Sequence, residues 1–493
     1  MVALTHNAPV YRTADIRAIE GAAAAALPQP GLMERAGLAA AEIARRVATS
    51  GRVLVVAGPG NNGGDGFVVA RHLKAWFYKV DVVFTGTAAK LPTDAKAAHD
   101  AWLACGGTVL PSIPEGSAWD LVIDGLFGIG LQRDISGETA ALIKHINALG
   151  APVLALDLPS GLDSDGGRMR GPTIKAAHTV TFIALKPGLL TGDGPDCCGQ
   201  IHVCDLGIDV QAIKAANGHV VGENILKEAL PPRRANSHKG SYGSVGILGG
   251  AAGMSGAALL AGRAALHLGA GRVYAGLLDA QAPRVDFAQP ELMLRDATDV
   301  MGIDHLSCLA VGPGLGTSDA AREHLRAALK GKLPLVIDAD ALNLLAADSA
   351  LQATLHNRSG DCILTPHPAE AARLLGYSTS TIQSDRIASA CEIARRYRSH
   401  VVLKGAGSVC ASPEGQWFIN TSGNPGMASA GMGDVLSGII AALLAQGASA
   451  RNALLAGVYL HGAAADDLVA AGTGPIGLTA GEVALAARKR INR

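Results

Sequence analysis

The sequence predicts an α/β protein of two domains, each a three-layer αβα sandwich around a mostly parallel sheet. Three observations carry this. Apolar runs alternate with helical segments, and that alternation implies parallel strands joined by crossover helices. Several runs, such as "RVLVVA" and "PVLALDL", are apolar throughout rather than alternating, as strands buried on both faces are. The 493 residues exceed what one core usually serves, and the alternation stops and restarts midway.

The elements follow in chain order. "RTADIRAIEGAAAAALPQPG" (12–31) either shapes a subunit contact or covers the sheet. "GLMERAGLAAAEIARRVA" spaces Leu32, Ala36, Ala39, Ile43 and Val47 along one face of a helix. Strands are expected at 53–57, 80–84, 119–128, 152–161, 177–185 and 201–207. The pattern breaks over 207–243, where Pro231, Pro232, Arg233, Arg234 and a Ser/His/Lys/Gly turn region lie. The domains are therefore set at 1–218 and 219–493. The second half restarts with "SVGILGG" (244–250) and alternates again at 308–316, 333–343, 361–370 and 400–410. The apolar stretch 436–465 is broken by Gln446, Arg451 and Asn452, so it reads as a buried helix pair and not a membrane span.

Composition narrows the function. Apolar residues make up 49% and charged residues 17%, enough to bury large cores. Lys plus Arg equals Asp plus Glu at 42 each, which argues against nucleic acid as the main partner. Eight cysteines without framework spacing suit a reducing, cytoplasmic compartment. Cys197, Cys198, His202 and Cys204 cluster, but at no standard zinc spacing. The N-terminus lacks the charged start and apolar core of a signal peptide.

Ligands of parallel sheets sit beyond the carboxyl ends of the strands. In the first half those ends carry the 58–66 loop, Asp124, Asp157 and Lys186. In "GPGNNGGDG", Gly58, Gly60 and Gly63 match the dinucleotide fingerprint G-x-G-x-x-G, and Asp81 supplies an acid further on. The residues between them reverse that reading. Asn61, Asn62 and Asp65 stand where bare backbone should meet a pyrophosphate, and a carboxylate there would repel it. Their oxygens suit a hard cation or the polar groups of a ligand.

"GPGNNGGDG", "DGLFGIGLQRD" (124–134) and "LDLPSGLD" (156–163), preceded by "LMERAG", together resemble the NAD(P)HX epimerase domain. The likeness spans most of 1–215 and implies a Rossmann-like, mostly parallel sheet. That family interconverts the R and S forms of hydrated reduced nicotinamide cofactors. The resemblance implies contact with the damaged cofactor by Asn61, Asn62, Gly63, Gly64 and Asp65. It implies the same for Gly128, Ile129, Gly130, Leu131, Gln132, Arg133 and Asp134, and for Asp157. A potassium ion would be held by Asn62, Asp124 and Ser160. Asp157 is the candidate for acid–base work, whether the carbon loses a proton or the hydroxyl leaves and returns.

In the second half, "NPGMASAGMGDVLSG" places Gly431 and Gly433 ahead of Asp434 at the start of an apolar helix. Backbone N–H groups at such a start can hold developing phosphate charge. "VLKGAGSV" (402–409) opens a strand end into a glycine loop with Lys404, suited to a nucleotide's phosphates. With "HKGSYGSVGILGG", "GPGLG", "DADALN" and "TPHPAE", these motifs resemble the ribokinase-like, ADP-dependent NAD(P)HX dehydratase domain across about 223–491. That family's histidine motif usually ends in Gly-Glu; here Ala369 precedes Glu370. The resemblance implies that Ala257, Gly314, His367 and Asp434 contact the hydrated cofactor. It implies that Lys404, Gly405, Ala406, Gly407, Ser408 and Gly433 hold the adenine nucleotide.

The chemistry accounts for a kinase-like dehydratase. Hydroxide leaves poorly and phosphate leaves well. Asp434 would deprotonate the ring hydroxyl, which attacks the terminal phosphoryl of ADP; elimination of phosphate then restores the double bond and leaves AMP. Magnesium is expected, since phosphoryl transfer nearly always uses it. The rival reading is a vitamin or sugar kinase with a non-catalytic N-terminal module. Many such kinases carry Asn-x-x-Glu, and no Asn here is followed three residues later by Glu. Expected partners are NADHX, NADPHX and ADP in a homo-oligomer, without nucleic acid or membrane.

Overall fold

The computed structural model describes residues 6–26, 28–48 and 51–493. The chain divides into two compact units, meeting in sequence between Asn217 and Gly218.

The first unit is built on a six-stranded sheet, parallel throughout. Its order is Lys79–Phe84, Arg52–Ala57, Leu121–Gly125, Val153–Leu156, His178–Phe182 and Gln200–Cys204. Alternate residues of one strand belong to different cores. Val53, Val55 and Ala57 pack with helices Leu32–Val47 and Asn61–Ala75, whereas Leu54 and Val56 pack with Ile143 and Ile146 of helix Gly137–Ala148. This two-sided burial is why the strands are apolar throughout. Helix Thr13–Ala26 buries Ile16, Ile19 and Ala23 in the first of these cores, so it covers this side of the sheet. The sheet order turns back at Arg52–Ala57: the next strand, Lys79–Phe84, lies on one side of it and the one after, Leu121–Gly125, on the other. That is where an open α/β sheet leaves a crevice.

In the second unit, Arg272–Leu277 and then Met293–Asp296 extend from one side of strand Ser244–Gly249. From its other side run Cys308–Val311, Leu335–Ile337, Cys362–Leu364 and His400–Leu403, all parallel. The hairpin Ser408–Ala411 and Trp417–Asn420 continues antiparallel, and Gly218–Val221 joins parallel to its last strand. Val245, Ile247, Ala310, Val336 and Ile363 face a core shared with helices Ser255–His267, Met432–Ala445, Ala450–Ala470 and Ala480–Ile491. The intervening Leu248, Val311, Leu335, Ile337 and Leu364 are fully buried too. This sheet also reverses, between Ser244–Gly249 and Cys308–Val311.

Four strands of this unit, beginning at Gly218, Arg272, Met293 and Trp417, were not expected from sequence. Each is short, or carries glycine or charge that masks the apolar run. The helix pair expected over 436–465 is present. Ala450–Ala470 is long and apolar enough to cross a bilayer, but 67% of its most apolar window is buried.

None of the eight cysteines is in a disulfide. In the Cys197, Cys198, His202, Cys204 cluster, His202 Nε2 lies 3.2 Å from His178 Nδ1, and Cys197 and Cys198 are buried. Among the described residues, no three His, Cys, Asp or Glu side chains are placed to hold a metal.

Candidate active sites

The first cleft forms where Arg52–Ala57 and Leu121–Gly125 end. The expected loop 58–66 is only Gly58-Pro59-Gly60; Asn61 to Gly64 already form the first turn of helix Asn61–Ala75. A Cβ on Gly63 would overlap the Gly58 carbonyl oxygen, and one on Gly58 would overlap that of Leu126. These glycines let backbone meet backbone and bring the helix start down onto the strand ends.

Asp124 is fully buried under that turn. Its Oδ2 accepts from Ser160 N at 2.8 Å, and its Oδ1 accepts from Ser160 Oγ at 2.6 Å and Leu126 N at 3.2 Å. Burial pushes its carboxyl up to about 6 against these hydrogen bonds. Ser160 Oγ in turn accepts from Phe127 N at 2.8 Å. Asn62 is buried, and its Nδ2 has no hydrogen-bond partner.

Asp157 follows its strand with φ of +66°, an uncommon conformation for a non-glycine residue. Its Oδ2 accepts from Ile129 N at 3.2 Å, which ties it to the loop 128–134. Its Oδ1 lies 2.5 Å from Lys186 Nζ. Asp65 faces the same place: burial, then Asp157 and Glu20, raise its carboxyl well above the ordinary range. Glu20, on helix Thr13–Ala26, is raised by burial and then by Asp157. Three carboxyls and one ammonium thus share the cleft. Gln132, Arg133 and Asp134 stand apart in the exposed part of the loop, and Asp134 pairs only at 3.8 Å with Arg170. Glu20 went unnoticed in the sequence, because a helix far from the glycine motifs delivers it.

In the second unit the named residues again collect at strand ends. Lys404 follows His400–Leu403, and its Nζ lies 3.0 Å from Asp338 Oδ1 and 4.0 Å from Glu370 Oε2. Burial opposes the Lys404 charge, but Asp338 and Glu370 outweigh it and raise its pKa. Asp338 Oδ2 accepts from Ser437 Oγ at 2.7 Å, which fastens helix Met432–Ala445 over the lysine. A Cβ on Gly433 would stand 3.2 Å from Lys404 Nζ, so glycine allows that seating. In the first turn of the helix, Asp434 has its carboxyl pushed up to about 6 by burial, with Asp338 and Asp340 adding to it and Lys404 opposing. That value suits a base acting near neutrality.

His367 caps helix Pro368–Leu375: its Nδ1 accepts from Ala369 N at 3.1 Å and Glu370 N at 3.3 Å. Glu370 returns the bond to His367 N at 2.8 Å, and burial pushes its carboxyl up to about 7. Burial lowers the His367 pKa, with Lys404 and Arg373 adding to it. Gly314 packs on Ala257, 3.2 Å from its Cβ if a side chain were present, at the sheet reversal. Asp340 accepts from Gly316 N at 2.8 Å and so connects that loop to the Asp434 region. The Gly405–Ser408 turn is closed by Ser408 Oγ donating to Gly405 O at 3.0 Å and rests on buried Arg386. Asp338 and Glu370 were not selected from sequence. Each had a signal: Asp338 is an acid directly after an apolar strand, as Asp157 is, and Glu370 completes the histidine motif.

Comparison with known proteins matches both units. Residues 245–483 fit the family model described as NAD(P)H-hydrate dehydratase, and residues 30–188 fit that of the YjeF-related protein N-terminus. The bifunctional NAD(P)H-hydrate repair enzyme of Escherichia coli is 43% identical over 445 residues, covering 89% of this chain and 85% of its own. That of Moorella thermoacetica is 39% identical, covering 90% of this chain and 88% of its own. A crystal structure of the ADP/ATP-dependent NAD(P)H-hydrate dehydratase of Bacillus subtilis, grown with ATP and magnesium, is 31% identical. It covers 54% of this chain and 94% of its own, with a TM-score of 0.47. With relatives this similar along nearly its full length, the chain belongs to the bifunctional NAD(P)H-hydrate repair enzyme family.

Proposed function

We propose that the two units carry the two steps of that repair. The first epimerises R- and S-NAD(P)HX, and the second dehydrates the S form to NAD(P)H with ADP as phosphoryl donor. The observation that carries this is the placement of a carboxylate with a matched environment in each cleft: Asp157 against Lys186, and Asp434 pushed up to about 6 above Lys404 and Asp338.

In the first cleft, Asn61 to Asp65, Asp157 and the start of the loop Gly128 to Asp134 line the place of the hydrated nicotinamide, and Gln132, Arg133 and Asp134 at the exposed end of that loop reach the rest of the cofactor. Asp157 moves the proton that either route of epimerisation needs. Asp124, Ser160 and the Oδ1 of Asn62 bring oxygen donors together around a buried carboxylate, which suits a monovalent hard cation such as potassium. When bound, such an ion neutralises Asp124 and fixes the turn. In the second cleft, Ala257, Gly314 and His367 bound the substrate, and Asp434 takes the proton of its ring hydroxyl. The turn Lys404 to Ser408 and the helix start at Gly433 receive the nucleotide. Magnesium supplies charge neutralisation on the phosphates when bound, and Asp338 and Glu370 are carboxylates within reach of that place. The domains are assigned as 1–218 and 219–493, and the enzyme works as a cytoplasmic homo-oligomer.

The test is incubation with both epimers of hydrated NADH, with and without ADP. Full return of the reduced-nicotinamide absorbance, only with ADP, is expected. Return of one epimer alone would remove the epimerase step. Phosphorylation of a small alcohol without any return would make the second unit an ordinary kinase.

A further inference from the structure

Lys186 lies in the turn after strand His178–Phe182 and is 1% exposed. Its Nζ lies 2.5 Å from Asp157 Oδ1, 2.8 Å from Thr181 Oγ1 and 2.7 Å from the Phe182 carbonyl oxygen. An ammonium has three N–H donors, and here all three are spent inside the protein. Lys186 therefore has none left for a ligand and is not the acid of the reaction.

Its effect falls on Asp157. The short ion pair occupies Oδ1. Oδ2 receives only the longer bond from Ile129 N, and it faces Gly128, where a Cβ would come within 2.9 Å of it. Asp157 also holds a left-handed backbone, with its N donating to Val180 O at 2.7 Å. Such conformations persist where the surroundings over-determine them, and the backbone bond and the buried ammonium both hold this residue. The other charged groups here, Asp65 on helix Asn61–Ala75 and Glu20 and Arg17 on helix Thr13–Ala26, include no second buried cation.

We infer that Lys186 is a positioning residue for the epimerase step, locking one oxygen of Asp157 so that the other, Oδ2, is presented to the substrate. This rests on the epimerase reading of the first cleft. It predicts damage to turnover rather than to substrate binding, because Lys186 acts only through the Asp157 oxygen turned away from the one presented to the substrate.

The full-length chain is assayed as wild type, Lys186→Met, Lys186→Arg and Thr181→Val, on the R epimer of hydrated NADH, with thermal unfolding recorded for each. Lys186→Met lowers the epimerase kcat by about 100-fold, within the range of positioned acid–base groups, while KM changes by less than about threefold. Lys186→Arg recovers part of the loss. Thr181→Val, which frees one lysine donor, lowers kcat by about tenfold with the fold retained. Full kcat in Lys186→Met, or a loss confined to KM, overturns the inference. If Lys186→Met fails to fold, Thr181→Val decides: full kcat there also overturns it. A wild-type chain that epimerises nothing strikes the epimerase reading itself.

Discussion

Asp434→Asn separates stability from activity in the second unit. The change keeps the side chain's shape and removes its charge. The folded carboxyl titrates at about 6 against an ordinary 3.8. Between those values the folded state binds the proton more tightly than the unfolded chain, so stability falls as pH rises from about 4 to about 6 and stays lowered above. About two pKa units correspond to ~3 kcal/mol at ~1.4 kcal/mol each. The side chain keeps some exposure, so about 1–2 kcal/mol is expected after solvent screening. For a unit of this size that raises the melting temperature by about 2–8 °C. Differential scanning calorimetry of both chains at pH 8 and pH 4 reads it. The variant melts higher at pH 8, the gap closes at pH 4, and dehydration is lost. Equal melting at pH 8 would mean that the carboxylate is not held against its preference beside Asp338, and its role as a poised base would fall.

The other expectations are simpler. In the wild type, dehydration declines below about pH 6 as Asp434 takes up its proton, read from kcat/KM against pH in the presence of ADP. Asp157→Asn lowers epimerisation by about 100- to 10,000-fold and leaves dehydration of the S epimer intact, so the absorbance returned from a mixed substrate halves its extent. Gly63→Ala forces a Cβ into the Gly58 carbonyl and destabilises the first unit by about 3 kcal/mol or more, measured by urea unfolding. Potassium raises the first unit's melting temperature in the wild type and not in Asp124→Asn; an equal rise in both would remove the cation from that place.

The two α/β units were legible because their strands are buried on both faces, which writes each strand as an unbroken apolar run. Asp124, Asp157 and Asp434 were legible because parallel strands and crossover helices put their ends at one edge. What escaped notice was delivered by topology alone. Glu20 reaches the first cleft from helix Thr13–Ala26, whose short apolar face and alanine run give no sign of a site. Asp338 and Glu370 acquire meaning only when Lys404 lies between them. Trp417–Asn420 is four residues long and exists as a strand because the hairpin before it and Gly218–Val221 beside it complete its hydrogen bonds.

The contact between Gly63 and the Gly58 carbonyl bears on how short glycine patterns are used to assign function. Two of the three glycines that imitate a dinucleotide fingerprint answer to neighbouring stretches of this chain, and a third, Gly60, has nothing within 4 Å of its would-be side chain. Pattern searches count glycines, and glycines record only that something came close. Whether that something is a pyrophosphate or the protein's own carbonyl is written in the residues between them, so a scan that ignores Asn61, Asn62 and Asp65 would file this enzyme among the redox proteins whose spent cofactor it restores.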